Sequence, residues 1–415
     1  MKRLSVRENM IWNSVGSLLY SGCQWLITVL VVRLSPDYDA AGVLALAMAI
    51  SNVFAPIALY KIRAYQVSDV HEETSSGEYV GFRFVTIGIA LVGVMAYAAL
   101  TCASNALPCI FLYLVFRSID SFIDVLHGID QQHYRMDYCG WSMGVRGVLF
   151  VVSFSLVLAL TGSLELAVLS MSIVTLPIVF YDLSRAARLS SVRPVFSREK
   201  ILQLLVRCLP AVVGMAVCNL VVTFARQYLG MSQGESALGI YASICTPIVL
   251  IQACSNYVYA PLLGVFAEHL DRGDTASFRQ LFARVILAFV VIFAGGAALF
   301  FFAGAWFLQT VFGEGIVPYG YLMYAGILSS AVTACIAFLS DLLVSMRQMR
   351  WNLIGNLVAC VVSVPATILL VDAFGMNGTS LSISLSYAVG VAIMCWHVLR
   401  FLRGAHGVKG MADGC

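Results

Sequence analysis

Along this chain, apolar runs of about 20 residues or more alternate with short polar stretches rich in Arg and Lys. The runs are apolar on every face rather than at every second position, which predicts helices and excludes barrel strands. A helix rises 1.5 Å per residue, so about 20 mainly apolar residues cross the hydrocarbon core of a bilayer. Twelve runs qualify, near residues 11–33, 40–60, 83–103, 107–126, 139–160, 163–182, 203–225, 238–263, 285–308, 318–344, 352–371 and 377–399. The uncharged stretch from Phe84 to Phe116 is too long for one span, and Ser104, Asn105 and Pro108 supply the turn that divides it. The first run follows Lys2, Arg3 and Arg7 as a signal peptide would. No small-x-small cleavage motif comes after it, and it is long enough to span, so it reads as a retained helix.

Basic residues set the orientation. With the N-terminus in the cytoplasm, twenty of the 25 Lys and Arg fall in inner segments. The outer turns keep only Arg33 and Arg226, while Arg117, Arg146 and Arg207 lie inside spans. A wrong span count would invert the parity and spoil this segregation, so twelve spans with both termini inside is the expectation. The most basic loop, Ser184 to Lys200, divides the spans six and six: residues 1–183 form an N-lobe, 184–200 a cytoplasmic linker, 201–402 a C-lobe and 403–415 a short tail. The lobes echo each other, because Arg33 is followed by a polar turn and Gly42, and Arg226 by a polar turn and Gly239. The expected fold is therefore all-α and integral to the membrane, with twelve transmembrane helices in two pseudo-symmetric six-helix lobes around a central cavity.

Composition agrees and narrows the function. Apolar residues make up 60% of the 415 residues and charged residues 11%, against roughly 45–50% and 25% in soluble proteins. A water-facing surface cannot be covered with so few charges, so a soluble enzyme, a disordered chain and a collagen are excluded. The net charge of +3 gives no reason to expect nucleic acid as a partner. Most of the 12 cysteines lie inside apolar stretches without CxxC spacing or a histidine partner, and read as small packing residues rather than a metal site. No GxxxxGK[ST] is present and the inner loops are short, so neither a nucleotide-driven pump nor any cofactor is implied.

Ionisable groups inside spans are costly and need a water-filled cavity or a partner. The fourth span is the most charged: Arg117, Asp120 and Asp124 share one helical face, with His127 following. Two readings stand. An Arg117–Asp120 pair can lock helix packing, or the stripe can line a cavity wall, Arg117 meeting an anion while Asp120 or Asp124 binds H⁺ or Na⁺. Two acids against one base leave at least one carboxylate unpaired by this helix. Arg33 and Arg226 either snorkel to headgroups or form a cationic rim. Arg146 either snorkels inward or faces the cavity beside the fourth span. Asp341 pairs with Arg347 or another inner base, or serves as a third coupling carboxylate.

Several stretches together resemble a known family. Arg33-Leu34-Ser35-Pro36-Asp37-Tyr38 with Gly42 is similar to a turn R-x-L-G-P-E-x-Y-G between the first two helices. His127-Gly128-Ile129-Asp130-Gln131-Gln132, then Arg135-Met136-Asp137, Gly140 and Arg146-Gly147, resembles the loop between helices four and five. Tyr257 to Pro261-Leu262-Leu263 with Asp271-Arg272-Gly273-Asp274 resembles the end of helix eight, and Phe374-Gly375-Met376-Asn377-Gly378-Thr379-Ser380 the turn before helix twelve. In this order they resemble the Wzx-type polysaccharide transporters of the multidrug/oligosaccharidyl-lipid/polysaccharide exporter superfamily. The likeness covers nearly the whole chain, with Ser35 in place of the usual glycine and Asp39-Ala40-Ala41 lengthening the first turn.

That resemblance implies a flippase in the bacterial plasma membrane, moving an undecaprenyl-pyrophosphate-linked oligosaccharide outward by alternating access for capsule, lipopolysaccharide or another surface polysaccharide. Arg33, Arg117, Arg146 and Arg226 would receive the pyrophosphate and glycan, and Asp120, Asp124 and Asp341 would be the candidates for ion coupling. Membrane lipids, a polysaccharide polymerase and glycosyltransferases are the implied partners, and a monomer suffices because two lobes enclose one cavity. The competing readings are a drug or cation antiporter of the same superfamily, for which an acidic cavity is expected, and a non-transporting scaffold for envelope assembly, in which the intramembrane charges are all paired off. A membrane glycosyltransferase would need a large catalytic loop that this chain lacks.

Overall fold

Two helices announce themselves by reciprocal caps. Ser5 accepts the Glu8 N–H and the Glu8 carboxylate accepts the Ser5 N–H at 2.8 Å, starting α1 (Val6–Leu34). Ser75 and Glu78 repeat the device at α4 (Ser76–Thr101). Between them lie α2 (Asp39–Leu59) and the short α3 (Ile62–Ser68). α5 (Leu107–Gln132) opens with Pro108, whose missing N–H costs nothing in a first turn. α6 (Met136–Thr161) stops at Gly162, where φ of 66° favours glycine, and Ser163 then caps α7 (Leu164–Ala186). The remainder is α8 (Arg198–Gln233), α9 (Glu235–Tyr259), α10 (Leu263–Asp271), α11 (Thr275–Phe312), α12 (Leu322–Ser345), α13 (Met349–Phe374) and α14 (Met376–Ala412). The structure is a computed structural model that describes residues 4–68, 74–259, 262–346 and 348–412.

Among the described residues the fold is all-α. Eleven helices are long and apolar enough to cross a membrane. α5 is the twelfth; it is 26 residues long and carries Arg117, Asp120, Asp124 and Asp130, which set it apart from the other eleven. Each of the twelve expected spans thus falls on a helix among the described residues, the eighth on α9 as far as Tyr259. Their outer surfaces are apolar, with Leu100, Leu160 and Phe302 at 86%, 76% and 85% exposure. Their interiors hold polar groups. This inversion of a soluble protein is what lipid as solvent requires, and the chain is a multi-pass membrane protein.

The chain folds into two compact units: Met1–Ala216 with Gly234–Gly239, and Val217–Gln233 with Ile240–Cys415. The division by packing falls inside α8, at Ala216.

In unit 1, α1 packs on α6 through small residues. A Cβ on Gly16 would stand 2.6 Å from the Gly140 Cα, and one on Gly147 3.1 Å from the Cys23 Sγ. Close backbone approach of this kind gives dispersion contact and lets polar side chains meet across the helices. The two sequence-related glycines also meet within unit 1: a Cβ on Gly42 would strike the Glu235 backbone, and one on Gly239 would strike the Tyr38 carbonyl and lie 2.9 Å from the Gly42 nitrogen.

In unit 2, Phe338 collects the rings of Tyr259, Phe282 and Phe289 at 5.3, 5.6 and 5.9 Å. α14 turns a buried polar face inward, Thr379, Ser380, Ser382 and Ser386. Ser380 bonds the Tyr241 hydroxyl at 2.9 Å, and Tyr387 donates to the Cys218 carbonyl at 2.8 Å.

Candidate functional site

Positions 117, 120, 124 and 127 recur at helical spacing, so α5 carries a polar stripe along one face into the interior of unit 1. Three neighbouring groups of side chains meet that stripe.

Asp120 is the centre of the first. It accepts from Arg117 Nη1 at 2.7 Å, stands 3.0 Å from Arg146 Nη1 of α6, and accepts the hydroxyl proton of Tyr20 from α1. The Arg146 guanidinium lies over the Tyr20 ring, 4.7 Å from its centroid, and Phe150 meets the same ring edge-on at 5.4 Å. Two guanidiniums thus share one carboxylate. Arg146 is nearly buried; its Nη1 is held by the Asp120 ion pair alone, and its Nε has no hydrogen-bond acceptor.

Asp124 is the centre of the second. It accepts from Arg63 Nη1 of α3 at 3.1 Å and from Arg83 Nη2 of α4 at 2.8 Å. Arg83 has no exposed side-chain surface and spends Nη1 on the Ala58 carbonyl at 2.7 Å; Arg63 Nε donates to Gln131 at 3.1 Å. Together the two groups hold four guanidiniums and two carboxylates, an excess of positive charge along this part of the stripe. Arg117, Arg63 and Asp124 keep about a quarter of their side-chain surface open.

A third group lies one turn further along. His127, Asp130, Cys139, Ser142 and Asp182 of α5, α6 and α7 are all buried. Ser142 donates to Asp182 Oδ2 at 2.7 Å, and His127 Nε2 stands 3.6 Å from the same oxygen.

The expected site residues sort accordingly. Arg117, Arg146 and Asp120 are brought together. Asp124 is not left over, as the arithmetic along its own helix suggests, because α3 and α4 send it two arginines. Arg33 is exposed in the last turn of α1. Arg226 and Asp341 belong to unit 2, where Arg226 is half-buried within electrostatic reach of Tyr241, and Asp341 accepts the Tyr259 hydroxyl at 2.9 Å. Arg347, the expected partner of Asp341, lies outside the described residues, as do Lys2, Arg3 and Pro261.

Sequence reasoning missed Arg83, counted among inner-loop charges although it sits two turns inside α4. It also missed Tyr20, which looks like an ordinary apolar-run residue. The signal for Arg83 was the capping box at Ser75 and Glu78, which starts the helix well before the arginine. Nothing in the sequence marks Tyr20.

No family model matches the sequence. The chain is 21% identical over 391 residues to the capsular polysaccharide biosynthesis protein CapF of Staphylococcus aureus, covering 92% of this chain and 97% of that one. Among solved structures, it is similar to an inward-facing multidrug resistance MATE family transporter of the MOP superfamily, at 14% identity and a TM-score of 0.71, covering 96% of this chain and 99% of the other. It is also similar to the lipid II flippase MurJ in an inward closed conformation, at 10% identity and a TM-score of 0.69, covering 94% and 87%.

Proposed function

We propose, on the premise that this chain has the fold of the MOP-superfamily transporters, that it is a flippase for a polyprenyl-pyrophosphate-linked oligosaccharide in a bacterial plasma membrane. It turns the sugar outward by alternating access for assembly of a surface polysaccharide. One observation carries the choice of cargo: Arg117 and Arg146 share a single carboxylate, and the buried Arg146 keeps its Nε donor without an acceptor. A guanidinium has five N–H donors in a fixed fork, which matches phosphate oxygens better than any cation. A diphosphate joining Asp120 on the two guanidiniums would use their remaining donors and answer the positive charge that one carboxylate leaves over. The named role of the CapF relative in capsular polysaccharide biosynthesis, and that of MurJ as a flippase of a lipid-linked sugar, point the same way. On this reading Asp120 and Asp124 hold arginines in place, and Arg33, in the last turn of α1, and Arg226, which lies inside α8 and not at its end as the sequence suggests, assist the anion.

A second reading has a specific support: the similar MATE structure is a multidrug transporter. Liposomes containing the full-length protein and a fluorescent polyprenyl-pyrophosphate oligosaccharide separate the two. The flippase reading expects the wild type to move the glycolipid between leaflets and Arg146→Gln and Arg117→Gln to lower the rate at least about tenfold at equal protein content. Transport of a lipophilic cation with no movement of the glycolipid would establish the antiporter reading instead. A scaffold expects neither.

A further inference from the structure

The third group on α5 is not used by the reading above. Asp182 has no exposed side-chain surface, and its Oδ1 has no hydrogen-bond partner; neither has Asp130 Oδ1, nor His127 Nε2 at 3% side-chain exposure. Asp130 Oδ2 receives only the Cys139 thiol at 3.7 Å. Two buried carboxylates with so few donors cannot both stay ionised cheaply without a cation between or upon them. The imidazole nitrogen is aimed at Asp182 Oδ2 from 3.6 Å, a distance that one proton on Nε2 would shorten into a charge-assisted hydrogen bond.

The charged neighbours do not supply that proton's place. On α4, Arg83 is spent on Asp124. On α3, Arg63 reaches Asp130 only through space, and Gln66 offers an uncharged amide near Gly128. On α6, Arg146 acts on Asp182 from a distance, and Asp137 is held by Arg135 at 2.8 Å. On α7, Arg185 lies over the rings of Tyr138 and Tyr181. From α1, Asn9 contributes a neutral carbonyl to the Met136 N–H, and Lys61 beyond α2 is exposed.

We propose that His127, Asp182 and Asp130 form a proton-binding site, distinct from the arginine groups, whose filling and emptying drives the transport cycle. The proton itself is the ligand, because an imidazole in place of a third oxygen donor suits H⁺ and not Na⁺. Ser142 fixes Asp182 by its hydroxyl and Cys139 fixes Asp130, so both are positioning residues. The link to transport rests on the flippase reading; the proton site does not.

Two measurements on the full chain test the two parts separately. In detergent, potentiometric difference titration between about pH 5 and 8 compares the wild type with His127→Gln/Asp182→Asn. About one proton per chain more is expected in the wild type. No difference between two equally folded proteins overturns the site. Ser142→Ala, which removes one hydrogen bond only, is expected to move the midpoint of uptake while keeping its size, and covers the case where the double variant does not fold. In liposomes, an imposed pH gradient is expected to stimulate glycolipid flipping about fivefold in the wild type and not in Asp182→Asn. Stimulation by a Na⁺ gradient alone, or an unchanged pH response in Asp182→Asn, overturns the coupling role. A wild type that binds the extra proton but flips no glycolipid defeats the choice of cargo and leaves the site standing.

Discussion

Arg83 shows what one residue can hold in this interior. Its head group joins the Ala58 carbonyl of α2 to Asp124 of α5 while staying wholly inside. Removing it takes that donor from the buried Ala58 carbonyl and leaves Asp124 with Arg63 alone, which costs about 2 kcal/mol. Arg83→Ala is therefore expected to lower unfolding stability by about that amount, read by denaturant titration in micelles, and Arg83→Lys, which keeps a donor and a charge, to recover part of it. Arg83→Ala as stable as the wild type would mean the ion pair is not formed. Asp274 is a residue of the opposite kind, half-exposed just before the start of α11. The Ser277 side chain and the Ser277 N–H, at 3.0 Å, hold its carboxyl below the usual carboxylate range. A lowered value means the cap contributes above the ordinary carboxylate pKa and is lost as the pH falls through the lowered one. Amide exchange in the first turn of α11 should quicken in acid for the wild type, whereas Asp274→Asn should show no such pH dependence.

At the level of the helices, small residues decide how closely α1 and α6 approach. Gly140 has the Trp12 carbonyl against the place of its missing side chain, and that backbone cannot step aside. Gly140→Leu is expected to destabilise by about 2 kcal/mol through overpacking; the same change at Gly88, which meets open space, should be silent in the same thermal-unfolding assay. Which helices exist was legible, since hydropathy reports contact with lipid and all twelve apolar runs are helical. Where they end was less so. α11 covers Thr275–Phe312 against an apolar run of 285–308, and α8 begins at Arg198 against 203, because a helix continues into polar residues after lipid has stopped selecting for apolar ones. The short α3 carries no hydropathy signal at all, yet it delivers Arg63 to Asp124. The stripe on α5 was legible as a face, and its partners were not. Pairing across helices is set by tertiary packing, and no spacing along one helix reveals that Tyr20, 100 residues upstream, meets Asp120.

For the molecule as a whole, the apolar exterior is a requirement and not a decoration. Phe302, 85% exposed in the C-terminal third of α11, should tolerate Leu, whereas Phe302→Arg places a charge against lipid at a cost of about 2 kcal/mol and should reduce the fraction of chain recovered in the membrane. The way the chain is shared between its units has a different consequence. Unit 1 takes in Gly234–Gly239 from beyond the middle of the sequence, and there the Glu235 carboxylate receives the Asn105 amide at 2.9 Å while its backbone closes on Gly42. A fragment ending at residue 216 would lack that latch, and one starting at 217 would carry it away. Severing the gene at its apparent midpoint should thus yield two pieces that mature only when made together.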